Sequence, residues 1–314
     1  MSLKIVRQPT RNWLDLPSEL TANILYRIGV LNILLSAQKV CTAWRKICKD
    51  PAMWTIVCID AVSDRHNDIH YTDLCKHVVD RSQGQLVDIT ISGFLFDEIF
   101  RYIANRSSLL KRLIFVCCDE YTNGIWTECL KKFPLLEELS LYVTPASKEA
   151  IETAGRYCSK LKTLKVNQDF IFWEGYYDEE PITSLDEEHI CDEIAMAIGL
   201  NLHDLRHLEL IGNTMSNEGL EMILDGCHHL ESLDLRACLF IDLKGDLGKR
   251  CLQQIKCLKL PDDSLEGCPY IYGNNGMARN VSVEGFESDM ESEEVIEDES
   301  NIESEEEFDN ESDE

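Results

Sequence analysis

Cysteine and histidine are the residue types with the most chemistry to offer here, and their spacing uses little of it. The chain of 314 residues holds 14 Cys and 8 His. A thiolate metal site wants a C-x-x-C pair or a similar spacing, and no such pair occurs. Cys117 and Cys118 are adjacent, and neighbours on a strand point to opposite faces, so they cannot share one ion. His203 and His207 straddle a predicted strand rather than share a helix face. Carboxylates are so abundant that pairs such as Glu137 and Glu138 carry no acid–base information. Neither G-x-S-x-G nor a glycine-rich phosphate loop is present. No catalytic residue, metal or cofactor is assigned, and the chain reads as a binding protein rather than an enzyme.

Binding chemistry is more visible. Phe170, Phe172, Trp173, Tyr176 and Tyr177 crowd a short stretch that runs on into Asp178-Glu179-Glu180-Pro181. Exposed aromatic clusters anchor partners, and these five are candidate substrate contacts. The alternative is that the loop folds back and buries its rings against the neighbouring repeat.

Charge narrows the partners. Asp and Glu outnumber Lys and Arg 57 to 30, for a net charge of −27. From Glu284 to Glu314 there are 17 acidic residues and no Lys or Arg, which leaves −10 for residues 1–283. Such acidity argues against nonspecific binding of DNA or anionic membranes. Residues 266–314 are expected to be a disordered acidic tail, in which Ser288, Ser300 and Ser304 resemble acidophilic-kinase sites. No segment reaches the roughly 18 apolar residues of a membrane span, and Met1–Arg11 has no secretory h-region. The expectation is a soluble intracellular protein, nuclear, cytoplasmic or both, with free buried thiols.

The elements that position these groups come from a repeat. L-x-x-L-x-L followed by a small polar residue recurs at Leu110-Leu113-Phe115-Cys118, Leu136-Leu139-Leu141-Thr144 and Leu161-Leu164-Val166-Asp169. It returns at Leu205-Leu208-Leu210-Asn213, Leu230-Leu233-Leu235-Cys238 and Ile255-Leu258-Leu260-Asp263, with a weaker first copy at Leu86-Ile89-Ile91. The intervals are 24, 26, 25, 44, 25 and 25 residues, the long one carrying an insertion. Each L-x-L is a short strand whose apolar side chains face inward. Amphipathic helices are predicted over Asp97–Ser107, Ser147–Cys158 and Asn217–Cys227. A strand and a helix per period near 25 build a leucine-rich-repeat solenoid with a parallel sheet on its concave side. The small polar residue after each strand, Cys118 and Cys238 among them, is placed to satisfy exposed backbone groups.

Concave strand positions then follow from alternation. They are Arg112, Ile114, Glu138, Ser140, Tyr142, Thr163, Lys165, Asn167, His207, Glu209, Ile211, Ser232, Asp234, Arg236 and Lys259. Arg112, Tyr142, Lys165, Glu209 and Arg236 are taken as candidate substrate contacts. Charge changes sign from repeat to repeat, which suits a protein ligand better than nucleic acid.

Residues 12–57 read differently. Pro17 sits in the first turn of a helix carrying Leu20, Ile24 and Ile28 at i, i+4 and i+8, which Gly29 stops. A second helix is predicted from about Ile33 to Cys48, with Asp50-Pro51 ending it and Trp54 in the apolar run that follows. Fewer than fifty residues with this much apolar surface make a marginal domain alone. The module is either a cap for the solenoid or a docking module completed by a partner.

The pattern L-P-x-E-L…I-L…V-C-x-x-W-R-x-I-x-x-D-P-x-x-W resembles an F-box. It is carried by Leu16, Pro17, Glu19, Leu20, Ile24, Leu25, Val40, Cys41, Trp44, Arg45, Ile47, Asp50, Pro51 and Trp54. With the repeats, and with the Arg11-Asn12-Trp13 entry and the Asp73–Ser82 linker, residues 11–265 resemble plant-type F-box/LRR proteins. The resemblance implies five segments: an extension over 1–10, an F-box over 11–57, a linker helix or cap over 58–84, about seven repeats over 85–265 with an insertion near 170–187, and the tail. It also implies a substrate receptor of a Skp–cullin–F-box (SCF) ubiquitin ligase, docking on a Skp adaptor and through it on a cullin–RING ligase. Leu16, Pro17, Leu20, Ile24, Leu31, Val40, Cys41, Trp44 and Trp54 are the implied adaptor contacts or their supports. The competing reading is an acidic leucine-rich scaffold or histone-binding protein, which explains the tail but not the F-box pattern.

Overall fold

Short apolar strands repeated about every 25 residues with an amphipathic helix between them build a parallel sheet backed by helices, and that is the observed architecture. The computed structural model describes residues 16–61, 70–93, 97–118, 124–168 and 191–268, all within one compact unit. The aromatic insertion and the acidic tail lie outside the described residues.

The first helix of the described residues is α1 (Ser18–Arg27), which turns Thr21 and Leu25 inward. The long second helix read from the sequence is broken. Helical turns at Val30–Asn32 and Gln38–Val40 flank a π turn at Ile33–Ala37. At Cys41 the backbone becomes extended, with φ −156°, and α2 (Thr42–Cys48) starts afresh. The Cys41 thiol caps this new helix by accepting from the Trp44 N–H at 3.4 Å. A 3₁₀ turn at Pro51–Trp54 leads straight into β1 (Ile56–Asp60).

After β1 come α3 (Tyr71–Arg81), β2 (Asp88–Ser92), α4 (Asp97–Arg106), β3 (Arg112–Val116), α5 (Ile125–Leu130) and β4 (Glu138–Tyr142). They are followed by α6 (Lys148–Tyr157), β5 (Thr163–Asn167), α7 (Glu193–Asn201) and β6 (His207–Glu209). The array ends with α8 (Asn217–Gly226), β7 (Ser232–Asp234), α9 (Asp246–Gln254) and β8 (Cys257–Lys259). The eight strands form one parallel sheet in sequence order. β1, which lacks the leucine pattern, is its first strand and pairs with β2 from Ile56–Asp88 to Asp60–Ser92. The insertion between β5 and β6 leaves the register intact, with Thr163 opposite His207 and Lys165 opposite Glu209.

One apolar core runs the length of the described residues, from Leu25 to Ile255. Leu25, Ile33, Met53 and Trp54 of the helical module pack into it alongside Val57 and Ile59 of β1. At its centre Phe100 meets Phe115 and Trp126 edge to face, both at 5.2 Å between centroids, the arrangement ring quadrupoles favour.

The turns after β2, β3, β4, β6 and β7 share a geometry. Gly93, Cys117, Val143, Gly212 and Ala237 all have positive φ. At three of these turns the small polar residue that follows donates back to the preceding repeat, whereas Thr144 Oγ1 donates to the Tyr142 carbonyl of its own turn at 2.9 Å. Cys118 Sγ reaches the Ile91 carbonyl at 3.7 Å, Asn213 Nδ2 the Val166 carbonyl at 2.6 Å and Cys238 Sγ the Leu210 carbonyl at 2.9 Å. These bonds satisfy buried carbonyls that the strand ladder leaves over. None of the 14 cysteines is in a disulfide, and burial pushes the Cys158, Cys227 and Cys238 thiols up to about 12.

Candidate adaptor face and concave repeat face

Two surfaces carry the residues singled out by the sequence. On the helical module, inward Leu25 forces the opposite side of α1 outward. Leu20, Ile24 and Ile28 are 53%, 37% and 37% exposed, and Val40 is 64% exposed. Pro17 is exposed as the residue preceding α1, while Leu16, Leu31 and Cys41 are half-buried. Trp44 is partly buried and packs on the core. Trp54 is fully buried, its indole N–H donating to the Cys48 carbonyl at 3.0 Å. The nine candidate positions thus divide between an exposed apolar face and the packing beneath it. Tyr26 and Leu35 are also exposed apolar residues of this module, and sequence reasoning missed both. The π turn adds a residue to its helical turn, so a regular 3.6-residue wheel cannot assign Leu35 to a face.

On the sheet, the registers line the outward positions into rows. One row is Asp88, Arg112, Glu138, Thr163, His207 and Ser232. The next is Thr90, Ile114, Ser140, Lys165, Glu209, Asp234 and Lys259. A groove of about 300 Å³ opens over β4 to β7, walled by Glu138, Thr163, Lys165, His207, Glu209 and Ser232. Two of the five candidates, Lys165 and Glu209, line it.

The other three lie elsewhere. Arg112 pairs with Asp88 at 3.1 Å, at the end of the sheet nearer β1. Burial raises the Asp88 carboxyl, with the Arg112 guanidinium pulling it back down. Tyr142 is 3% exposed and packs with Ile114 and Val116 in a small apolar cluster on the same face. Burial first, then the carboxylates of Glu209 and Glu138, keep its phenol protonated. Arg236 is 5% exposed and forks onto Asp234 through Nε at 2.9 Å and Nη2 at 2.7 Å, with Nη1 donating to the Ser264 carbonyl at 2.8 Å. Burial raises the Asp234 carboxyl, but hydrogen bonds from Arg236 and Lys259 outweigh it and the net shift is downward.

Phe170, Phe172, Trp173, Tyr176 and Tyr177 lie outside the described residues. His203 and His207 have separate partners, the Gly226 carbonyl and Ser232 Oγ, each at 3.0 Å. Among the described residues no group of three His, Cys, Asp or Glu side chains is placed to hold a metal ion, and no helix is long and apolar enough to cross a membrane.

A broken helical module that shares its core with a strand–helix solenoid is the architecture of an F-box followed by leucine-rich repeats. The family model described as F-box-like matches residues 13–60. F-box protein SKIP19 of Arabidopsis thaliana is 42% identical over 255 residues, covering 81% of this chain and 78% of its own. F-box/LRR-repeat protein 21 of the same plant is 40% identical over 264 residues, covering 83% and 85%. F-box/LRR-repeat protein 23, also from Arabidopsis thaliana, is 43% identical over 81% of this chain, which spans 54% of that longer protein. The chain belongs to the F-box/LRR-repeat family.

Proposed function

We propose that this protein is the substrate-recognition subunit of a Skp–cullin–F-box ubiquitin ligase. In this reading the exposed apolar face of the F-box docks on a Skp adaptor, and the concave side of the repeats holds a protein substrate. Ubiquitin transfer is carried out by the other subunits. F-box/LRR proteins generally serve as adaptors, and this chain acts by placing one protein beside another.

The observation that carries the reading is the exposure of Leu20, Ile24, Ile28 and Val40, with Tyr26 and Leu35, on a module whose Leu25, Ile33, Leu34, Met53 and Trp54 are buried. A small domain that keeps large apolar side chains on one face is built for a partner to cover them. Co-expression with a Skp adaptor, read by size exclusion, tests it. A one-to-one complex is expected for the wild type and is expected to vanish in Leu20→Asp/Val40→Asp, which leaves the buried face of α1 untouched. A wild type that stays monomeric and folded beside the adaptor would sink the reading and bring forward the acidic-scaffold alternative.

A further inference from the structure

Among the described residues, the carboxylates of the concave face outside the groove that form ion pairs are each matched by at least one close cation. Arg112 has Asp88 to itself, and Asp234 is held by Arg236 at 2.7 Å and Lys259 at 3.1 Å. In the groove one ammonium serves two carboxylates. Lys165 Nζ lies 3.8 Å from Glu138 Oε1 and 3.7 Å from Glu209 Oε2, both too far for a good hydrogen bond. Two acids and one base leave a negative charge over.

The remaining contacts show which atoms are engaged. Glu138 Oε1 accepts from Ser140 Oγ at 3.0 Å, and Glu209 Oε1 accepts from Asn167 Nδ2 at 2.5 Å. Both carboxylates are thus held in place from the sheet. Among the described residues Lys165 has only these two long ion pairs, so it is the member of the trio freest to swing away.

We propose that this groove takes a basic side chain, arginine in preference to lysine, from an extended segment of the substrate protein. The planar guanidinium has donors on both sides, so it can serve Glu138 and Glu209 at once where an ammonium reaches each poorly. The rest of the wall is Leu208 with Thr163, His207 and Ser232, whose polar groups face a peptide lying across the strands. A second observation has the same sign. The chain carries −27, with 17 acidic residues and no base from Glu284 to Glu314, so its field draws a basic segment in before contact.

The proposal rests on the substrate-receptor reading, and the test separates the two. The full-length chain, with its Skp adaptor, is titrated with two fluorescent peptide pools: one randomised around a central Arg without acids, one around a central Glu without bases. The Arg pool is expected to bind about tenfold tighter or more, with affinity falling as salt rises. Glu138→Gln/Glu209→Gln is expected to lose that advantage. Asp88→Asn, on the same face but outside the groove, is expected to keep it. Lys165→Ala is expected to tighten Arg-pool binding, an effect a purely structural lysine would not give. Equal binding of both pools, binding of neither, or a double variant that still prefers Arg would overturn the assignment. Loss of the adaptor complex with Arg-pool binding intact would overturn the receptor reading alone.

Discussion

Arg81 and Trp54 donate to the same atom: the Cys48 carbonyl oxygen receives Arg81 Nη1 and Trp54 Nε1, each at 3.0 Å. The guanidinium also lies 5.3 Å from the centroid of the indole, within cation–π range. Its Nη2 reaches Gln38 Oε1 at 3.0 Å. Arg81 closes α3, whereas Gln38, Cys48 and Trp54 all belong to the F-box. One side chain from the repeat side therefore joins three separate pieces of the docking module.

Arg81→Ala is expected to cost about 2 kcal/mol, the scale of a charge-assisted hydrogen bond lost at a half-buried site. Arg81→Lys is expected to recover only part of this, because a single ammonium cannot span Gln38 and Cys48 together. Thermal denaturation followed by tryptophan fluorescence reads both. An unchanged midpoint for the alanine variant would refute the clamp.

The same arginine makes the junction sensitive to pH. Arg81 Nε donates to His77 Nε2 at 2.9 Å, which requires a neutral ring. Burial first, then the Arg81 charge, hold His77 below its ordinary 6.5, with Asp80 opposing. The unfolded chain takes up the proton first as pH falls. The contribution is thus complete above 6.5 and is lost below it, through the lower folded value. His77→Gln is expected to flatten the fall in melting temperature on the acid side of pH 6.5, as a pH series would show.

Two backbone sites are expected to respond in opposite directions. Val143 sits at φ +48°, where a β-branched residue is strained. Val143→Gly should raise stability by about 1 kcal/mol, the αL penalty less the entropy cost of glycine. Gly226 packs α8 against α7, and a Cβ there would lie 1.8 Å from the Gly199 carbonyl oxygen. Gly226→Ala should cost about 3 kcal/mol as the helices are pushed apart. Urea titrations of the two variants give both signs.

The Asp234–Arg236 pair is buried enough for its partners to depend on each other. Asp234→Asn would leave the guanidinium with two carbonyl contacts and no carboxylate of its own, at a cost on the order of 3 kcal/mol. Since the folded pKa of Asp234 lies below 3.8, its share of stability is full above that value and is lost as pH falls through the folded one. The variant should therefore be less stable at neutral pH and lose less on acidification, as denaturation at pH 7 and pH 3 would reveal.

Much of this was legible because burial in a repeat writes itself into spacing. Leu113 and Phe115 face inward, and their counterparts a period away do the same, so one pattern located β2 to β8. β1 escaped because Ile56 to Asp60 has no leading leucines and lies within the tail of the F-box. The break at Cys41 escaped because a thiol is an unusual cap and the apolar stripe on either side looks continuous. Among concave residues, alternation identified which ones face outward. It could not say that Arg236 and Tyr142 would be buried, or that Glu138 and Glu209 would converge on Lys165, because Lys165 and Glu209 are paired across an insertion.

The sheet is not uniform along its length. β1 to β5 run five residues each, whereas β6 to β8 run only three. Since each repeat touches little beyond its neighbours, mechanical load travels strand by strand. Pulled from the end beyond residue 268, the molecule would give way at β8, whose residues are the least covered, and peel through the thin ladders first. The force would rise where β5 meets β4, the first five-residue ladder encountered. The groove straddles that step, so the front would strip β7 and β6 from it before reaching the stiffer half anchored to the F-box.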